Sequence, residues 1–183
     1  MTNNQFMALV RGVLRRGLEL QGVANVRILQ NYQGKKTSAP ETPCLVFHRV
    51  DDQPRHWQYR HTAITDVANR KITQTEYQNF ETTFQVNALV PRVAPEDEDI
   101  NDVSAEDLLR VAHMLLQGQL MLDVCKKAGV GILHVSTFTP NWVQDEHDNW
   151  EAEPSFNIVI ATKQELKWEV PAVDMFDYKI YPV

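Results

Sequence analysis

Two hydrophobic periods alternate along the chain. Phe6, Leu9, Val10, Val13, Leu14, Gly17 and Leu18 recur at three- and four-residue spacing, with Gln5, Arg11, Arg15 and Glu19 elsewhere on the wheel. This predicts an amphipathic first helix ending near Gly22. "NVRIL" and "PCLVFHRV" then read as strands, separated by "GKKTSAPETP", whose glycine and prolines exclude regular structure. "RHWQYRHTAI" alternates, with Trp57, Tyr59, His61 and Ala63 on one side and His56, Gln58, Arg60 and Thr62 on the other. It should pair with "KITQTEYQNFETTFQVNAL" through the polar turn "TDVANRK", forming a long hairpin.

The second strand of that hairpin changes character midway. Phe80, Thr82, Phe84, Val86 and Ala88 make one dry face opposite Glu81, Thr83, Gln85 and Asn87, whereas Lys71 to Gln78 is polar or mixed on both faces. At about 3.3 Å per residue the strand is on the order of 65 Å long, against a radius of gyration of about 16 Å for a globule of this length. The arm must bend, bulge or project, and a two-stranded ribbon is marginal alone. We expect a neighbouring copy to complete its polar half, the alternative being a bent strand within its own sheet.

After the acidic linker "APEDEDIND", Ser104 with Asp107 three residues on predicts an N-cap and capping-box-like start for a second helix. Leu108, Val111, Ala112, Leu115 and Leu116 form its buried stripe, Gly118 either breaks it or is crossed, and Lys126-Lys127 before Gly129 ends it. "VGILHVSTF", "SFNIVIAT" and "ELKWEV" read as strands, "TPNWVQDEHDNWEAEP" as a polar loop and "PAVDMFDYKIYPV" as an irregular tail. The fold class is α+β: a mostly antiparallel sheet with a long β-hairpin, covered by two main helices. We expect one domain over 1–183, the hairpin at about 54–90 and a C-terminal arm at about 172–183.

With 183 residues, 43% of them hydrophobic, the chain can bury a core without disulfides or a metal. A formal charge of −6 and basic clusters no larger than pairs argue against phosphate-driven binding to nucleic acid. Cys44 and Cys125 lack CxxC spacing and read as reduced core thiols. No apolar run reaches the length of a membrane span and no leader pattern opens the chain, so synthesis in a cytoplasm is expected.

Six histidines invite an enzyme reading. His48, His56 and His61 lie on adjacent strands and His147 sits among carboxylates in "QDEHDNWE". A metal centre needs converging ligands, yet His56 and His61, five apart on one strand, point to opposite faces. The run "PEDEDIND" lacks the glycine and closing glutamate of an EF-hand loop. No nucleophile elbow, phosphate-binding glycine loop or HExxH motif is present. No catalytic residue, cofactor or metal is assigned.

The chain resembles, over nearly its whole length, the tail terminator (neck terminator or tail-completion) proteins of tailed bacteriophages. The likeness rests on "FMALVRGVLRRGLEL", "PCLVFHRV", "YQNFETTFQVNAL", "AEDLLRVAHMLL" and "PNWVQDEHDNWEAEPSFNIVIAT". In particular, "FETTFQVNAL" looks like the family's central strand and "EAEPSFNIVIAT" like its returning strand. The resemblance implies a non-enzymatic virion protein of the neck, assembled as a ring, usually a hexamer, on the head-proximal end of the tail tube. Its partners would be further copies of itself, the tail tube protein, the head-tail connector or stopper and, in contractile tails, the last sheath ring. DNA would pass through without specific binding, which suits an acidic chain. Other readings are a tail tube subunit, a head-tail adaptor, an assembly factor absent from the particle, or a small metal-dependent enzyme built on the histidines.

Closed rings need heterologous interfaces, and aromatic residues dominate interface hot spots. The candidate interface residues are therefore Trp57, Tyr59, Tyr77, Gln78 and Asn79 on the hairpin, with Phe176, Tyr178 and Tyr181 on the tail.

Overall fold

The structure, a computed structural model, describes residues 3–31, 42–66, 71–91, 103–139, 142–144, 150–152 and 154–171. In chain order the elements are α1 (Asn3–Leu20), β1 (Arg27–Asn31), β2 (Cys44–Asp66), β3 (Lys71–Leu89), α2 (Ala105–Gln117), α3 (Gln119–Ala128), β4 (Val130–Val135), β5 (Trp142–Gln144), β6 (Trp150–Ala152) and β7 (Ser155–Pro171). The expected α+β class holds. A five-stranded sheet runs β1-β2-β3-β7-β4, antiparallel throughout except for the parallel pair β1 and β2.

The core lies where the dry halves of β2, β3 and β7 meet the helices. Phe84, Val86 and Ala88 of β3, Leu45 and Phe47 of β2, and Phe156, Ile158 and Ile160 of β7 share one face. Against it pack Phe6, Val10, Leu14 and Leu18 of α1, Leu108, Leu109, Ala112 and Leu116 of α2, and Met121 and Cys125 of α3. Phe6 stacks on Phe84 with ring centroids 5.4 Å apart, so the first helix is pinned to the middle of the central strand. Gly17 lies where α1 meets α2, and a Cβ there would overlap the Leu115 side chain.

Helix ends follow the sequence signals. The Ser104 hydroxyl accepts from the Asp107 amide at 3.1 Å and donates to its carboxylate at 2.6 Å, leaving the acidic first turn at the positive end of the helix dipole. Gly118, extended at φ −68° and ψ 154°, divides the expected second helix into α2 and α3. Gly129, at φ 70°, ends α3 behind Lys126 and Lys127 in the left-handed conformation that glycine accepts without strain.

Three expectations are corrected. "SFNIVIAT" and "ELKWEV" are one 17-residue strand, β7. It pairs with β3 without a register shift from Asn87↔Ser155 to Lys71↔Pro171, so the second flank of β3 is filled from within the chain and not by a neighbouring copy. The expected loop after Thr139 contains a short antiparallel pair of strands, β5 and β6, with Trp142 in register with Ala152 and Gln144 with Trp150. The acidic linker and the tail from 172 onward lie outside the described residues.

Both cysteines are free and buried, and burial raises both thiols above their ordinary value, Arg27 partly opposing this at Cys44. Unfolded thiols ionise from about pH 8.5 and the folded ones only higher. Their contribution to stability is therefore full below the unfolded value and lost as pH rises through the folded one. Both should stay unreactive toward Ellman's reagent at about pH 8 in the native protein and react once it is unfolded in urea.

Candidate functional site

Beyond its base the sheet continues as a three-stranded arm of β2, β3 and β7, and among the described residues no helix lies over it to supply a core. Its features arise from one irregularity. Arg55 pairs with Asn79 and Tyr59 with Tyr77, so His56, Trp57 and Gln58 stand opposite the single residue Gln78. The chain closes this bulge by taking His56 to φ 63°, the left-handed region that a residue with a Cβ enters at a cost of about 1–2 kcal/mol. The Gln78 amide donates to the Arg55 carbonyl at 3.0 Å and to the His56 carbonyl at 3.1 Å, holding both peptides.

The strand is clamped on either side of the bulge. Before it, Arg55 Nε lies 2.7 Å from Glu81 Oε2 and the Thr82 hydroxyl donates to Asp52 at 2.8 Å. After it, Arg60 meets Glu76 Oε1 through Nη2 at 2.6 Å and through Nε at 2.7 Å, while the Gln58 amide donates to the other carboxylate oxygen. Glu76 is only 8% exposed, and these donors are what make a buried carboxylate tolerable there.

With the backbone held, Trp57 is displayed at 96% exposure. Tyr59 stacks on Tyr77 with centroids 6.2 Å apart, and Lys163 Nζ sits 3.5 Å from the centre of the Tyr77 ring. Trp57, Tyr59, His61, Tyr77, Asn79 and Lys163 line an open hollow of about 500 Å³. Two large rings, an indole free in water and a cation supply apolar area and charge at little entropic cost, the chemistry of a docking surface.

The structure brings together five of the residues singled out in the sequence. Trp57, Tyr59, Tyr77 and Asn79 line the hollow, and Gln78 braces the bulge beneath it. Phe176, Tyr178 and Tyr181 lie outside the described residues. Sequence reasoning missed Lys163, which arrives through the Asn79↔Lys163 register of β7, and the positioning role of His56. The inference that His56 and His61 face opposite sides assumed a regular strand, which the bulge interrupts. His61 lines the hollow and His56 borders a separate cleft with Arg55 and Glu81.

Among the described residues no three His, Cys, Asp or Glu side chains gather as a metal site would require. His113 is held by the Ser136 carbonyl at 3.2 Å and by the rings of Phe138 and Phe156. No helix among the described residues is long and apolar enough to cross a membrane.

Fold and surface together describe a class: an α+β protein with a helix-covered base and a bulged, aromatic-bearing sheet arm. Residues 5–172 match the family model of the E217 gateway protein gp29. The chain belongs to that family, and the likeness to phage tail terminators read from its sequence stands with it. No curated protein matches. Among solved structures the chain is similar to the sheath/tube terminator, in its extended state, of an extracellular contractile injection system (PVC), with 8% identity and a TM-score of 0.48. That likeness covers 96% of this chain and 63% of the other, so this chain spans less than two thirds of its length.

The bulge itself is testable. His56→Gly should be neutral or raise stability by up to about 1 kcal/mol by relieving the left-handed strain, and His56→Val should lower it by about 1–2 kcal/mol. Thermal melts of the two variants check this; equal melting temperatures would remove His56 as a strained support of Trp57.

Proposed function

We propose that this chain is a structural protein of a tailed-phage virion, seated in the neck at the head-proximal end of the tail tube. There it ends tube growth and gives the head-tail connector or stopper a surface on which to join. It acts by geometry and without catalysis, cofactor or metal. Copies close into a ring, a hexamer in this reading, through heterologous interfaces. One face of the ring imitates the next tube ring and the other lacks a surface on which the tube can continue. DNA passes through its bore without specific binding, and a contractile tail would bring the last sheath ring into contact.

Family membership over residues 5–172 supports this reading. The observation that carries the docking role is Trp57, 96% exposed on a bulge that the fold strains and braces. An indole held in water in this way gains only when a partner covers it. Trp57, Tyr59, Tyr77, Gln78 and Asn79 form the arm's share of the interface, and Phe176, Tyr178 and Tyr181 the tail's share.

Negative-stain electron microscopy and light scattering of the purified protein, before and after mixing with tail tubes, test the assignment. A closed ring, alone or capping tube ends, is expected. A monomer that ignores tubes rejects the reading, and long tubes from this protein alone make it the tube subunit. Trp57→Ala should weaken capping about 30-fold or more with an unchanged circular dichroism spectrum. Truncation after Val173 should weaken ring formation while leaving the domain folded.

A further inference from the structure

The two outer edges of the arm are unlike each other. β4 pairs with β7 only as far as Val130↔Thr162, so among the described residues no strand covers the outer edge of β7 from Lys163 to Pro171. β1 likewise leaves β2 at Asn31↔His48. The β2 edge is blunted by Pro54, the strained bulge and two further register shifts, at 49/51 and 64/66. The β7 edge keeps unbroken register with β3 and has no proline before its last residue, Pro171. A straight open edge is a template for another strand.

Its side chains specify which strand. One face carries Lys163, Glu165, Lys167 and Glu169; the other carries Leu166, 59% exposed, and Trp168, 36% exposed, whose indole donates to Gln74 at 3.0 Å. An edge protected by charge repels a second copy through a run of one sign. Alternating signs do the opposite in one particular register. Antiparallel pairing of two β7 edges about a two-fold axis at Leu166 sets Lys163 opposite Glu169 and Glu165 opposite Lys167, each twice, and sets Leu166 against itself on the other face. Moving the axis to Glu165 or Lys167 puts like charges opposite each other, and a one-residue slip exchanges the faces.

We propose that the β7 edge of the arm, Lys163 to Pro171, binds the same edge of a second copy, antiparallel and centred on Leu166. The pair joins two three-stranded arms into one six-stranded sheet. Subunits of a cyclic ring all point the same way round, so this two-fold contact cannot form within a ring. It is a form of the free protein, which must part before a ring closes. The contact rests on the edge alone and does not depend on the tail-end assignment.

Sedimentation velocity of the full chain over a concentration series tests it. Wild type should show a monomer–dimer equilibrium, and Glu165→Lys or Lys167→Glu should each weaken the dimer about tenfold by placing like charges opposite each other. Mixing the two variants should restore dimer at wild-type strength, because every facing pair is then opposite in sign. That rescue does not follow from the 2.6 Å contact between Glu165 and Lys167 within one strand. Independently, Leu166→Cys should form a disulfide with its own copy under mild oxidation, since directly opposed strand residues lie within disulfide reach. A wild type that stays monomeric, a dimer indifferent to the charge reversals, a mixture without rescue, or a Leu166→Cys variant that does not cross-link would each overturn the proposal.

Discussion

The structure depends on β3 being hydrogen-bonded along both flanks. Its distal half, Lys71 to Gln78, has little apolar surface to bury, and a two-stranded ribbon of that composition would be marginal in water. β7 runs beside it without a slip over all seventeen paired residues of β7. The backbone donors and acceptors of β3 therefore find partners on both sides even where neither face is apolar. The same strand is fixed at its base, where Phe84 lies under Phe6 and beside Ile158. A buried core at one end and continuous pairing at the other make β3 a lever that joins the helices to the arm.

All the irregularity of the arm falls on β2. It takes 23 residues to run beside a β3 of 19, and the surplus sits at three register shifts. Beyond His48 the outer side of β2 has no strand beside it among the described residues, so a bulge there disrupts only one ladder. β3, paired along both flanks, could not accept such an insertion without breaking two ladders. The irregularity therefore falls on an outer strand and not on β3, and the strained residue, the displayed indole and the blunted edge all share β2, while β7, open beyond Thr162, remains regular.

Much of this was readable from residue order because burial writes a period into sequence. The dry face Phe80 to Ala88, the stripe of α1, the Ser104 cap and the Gly129 stop all appear in the structure as the pattern implies. What escaped lacks such a signature. The middle of β7, "ATKQEL", faces no core and shows no alternation, so one strand read as two. β5 and β6 are three residues each, shorter than any period can register. A histidine with positive φ looks like any other histidine in a strand, and Lys163 meets Tyr77 only through a cross-strand register that local sequence does not encode. The aromatic residues of the hollow were legible as residues; their assembly into one surface was not.

Lys163 ties the two surfaces of the arm to each other. Its ammonium rests 3.5 Å from the centre of the Tyr77 ring, and it is also the first residue of β7 beyond the reach of β4. In the β7 pair it faces Glu169 of the second copy, and in the hollow it supplies the cation beside Trp57 and Tyr59. One ammonium cannot serve a carboxylate across the edge and a ring across the face equally well, since each asks the flexible Lys stem for a different direction. A partner that fills the hollow and draws Lys163 onto the aromatic face therefore removes an attractive pair from the edge contact. A free dimer held at the edge, conversely, withholds part of the charge the hollow presents. The two contacts oppose each other through a single side chain, so docking at the aromatic surface favours the separated subunits that a ring requires.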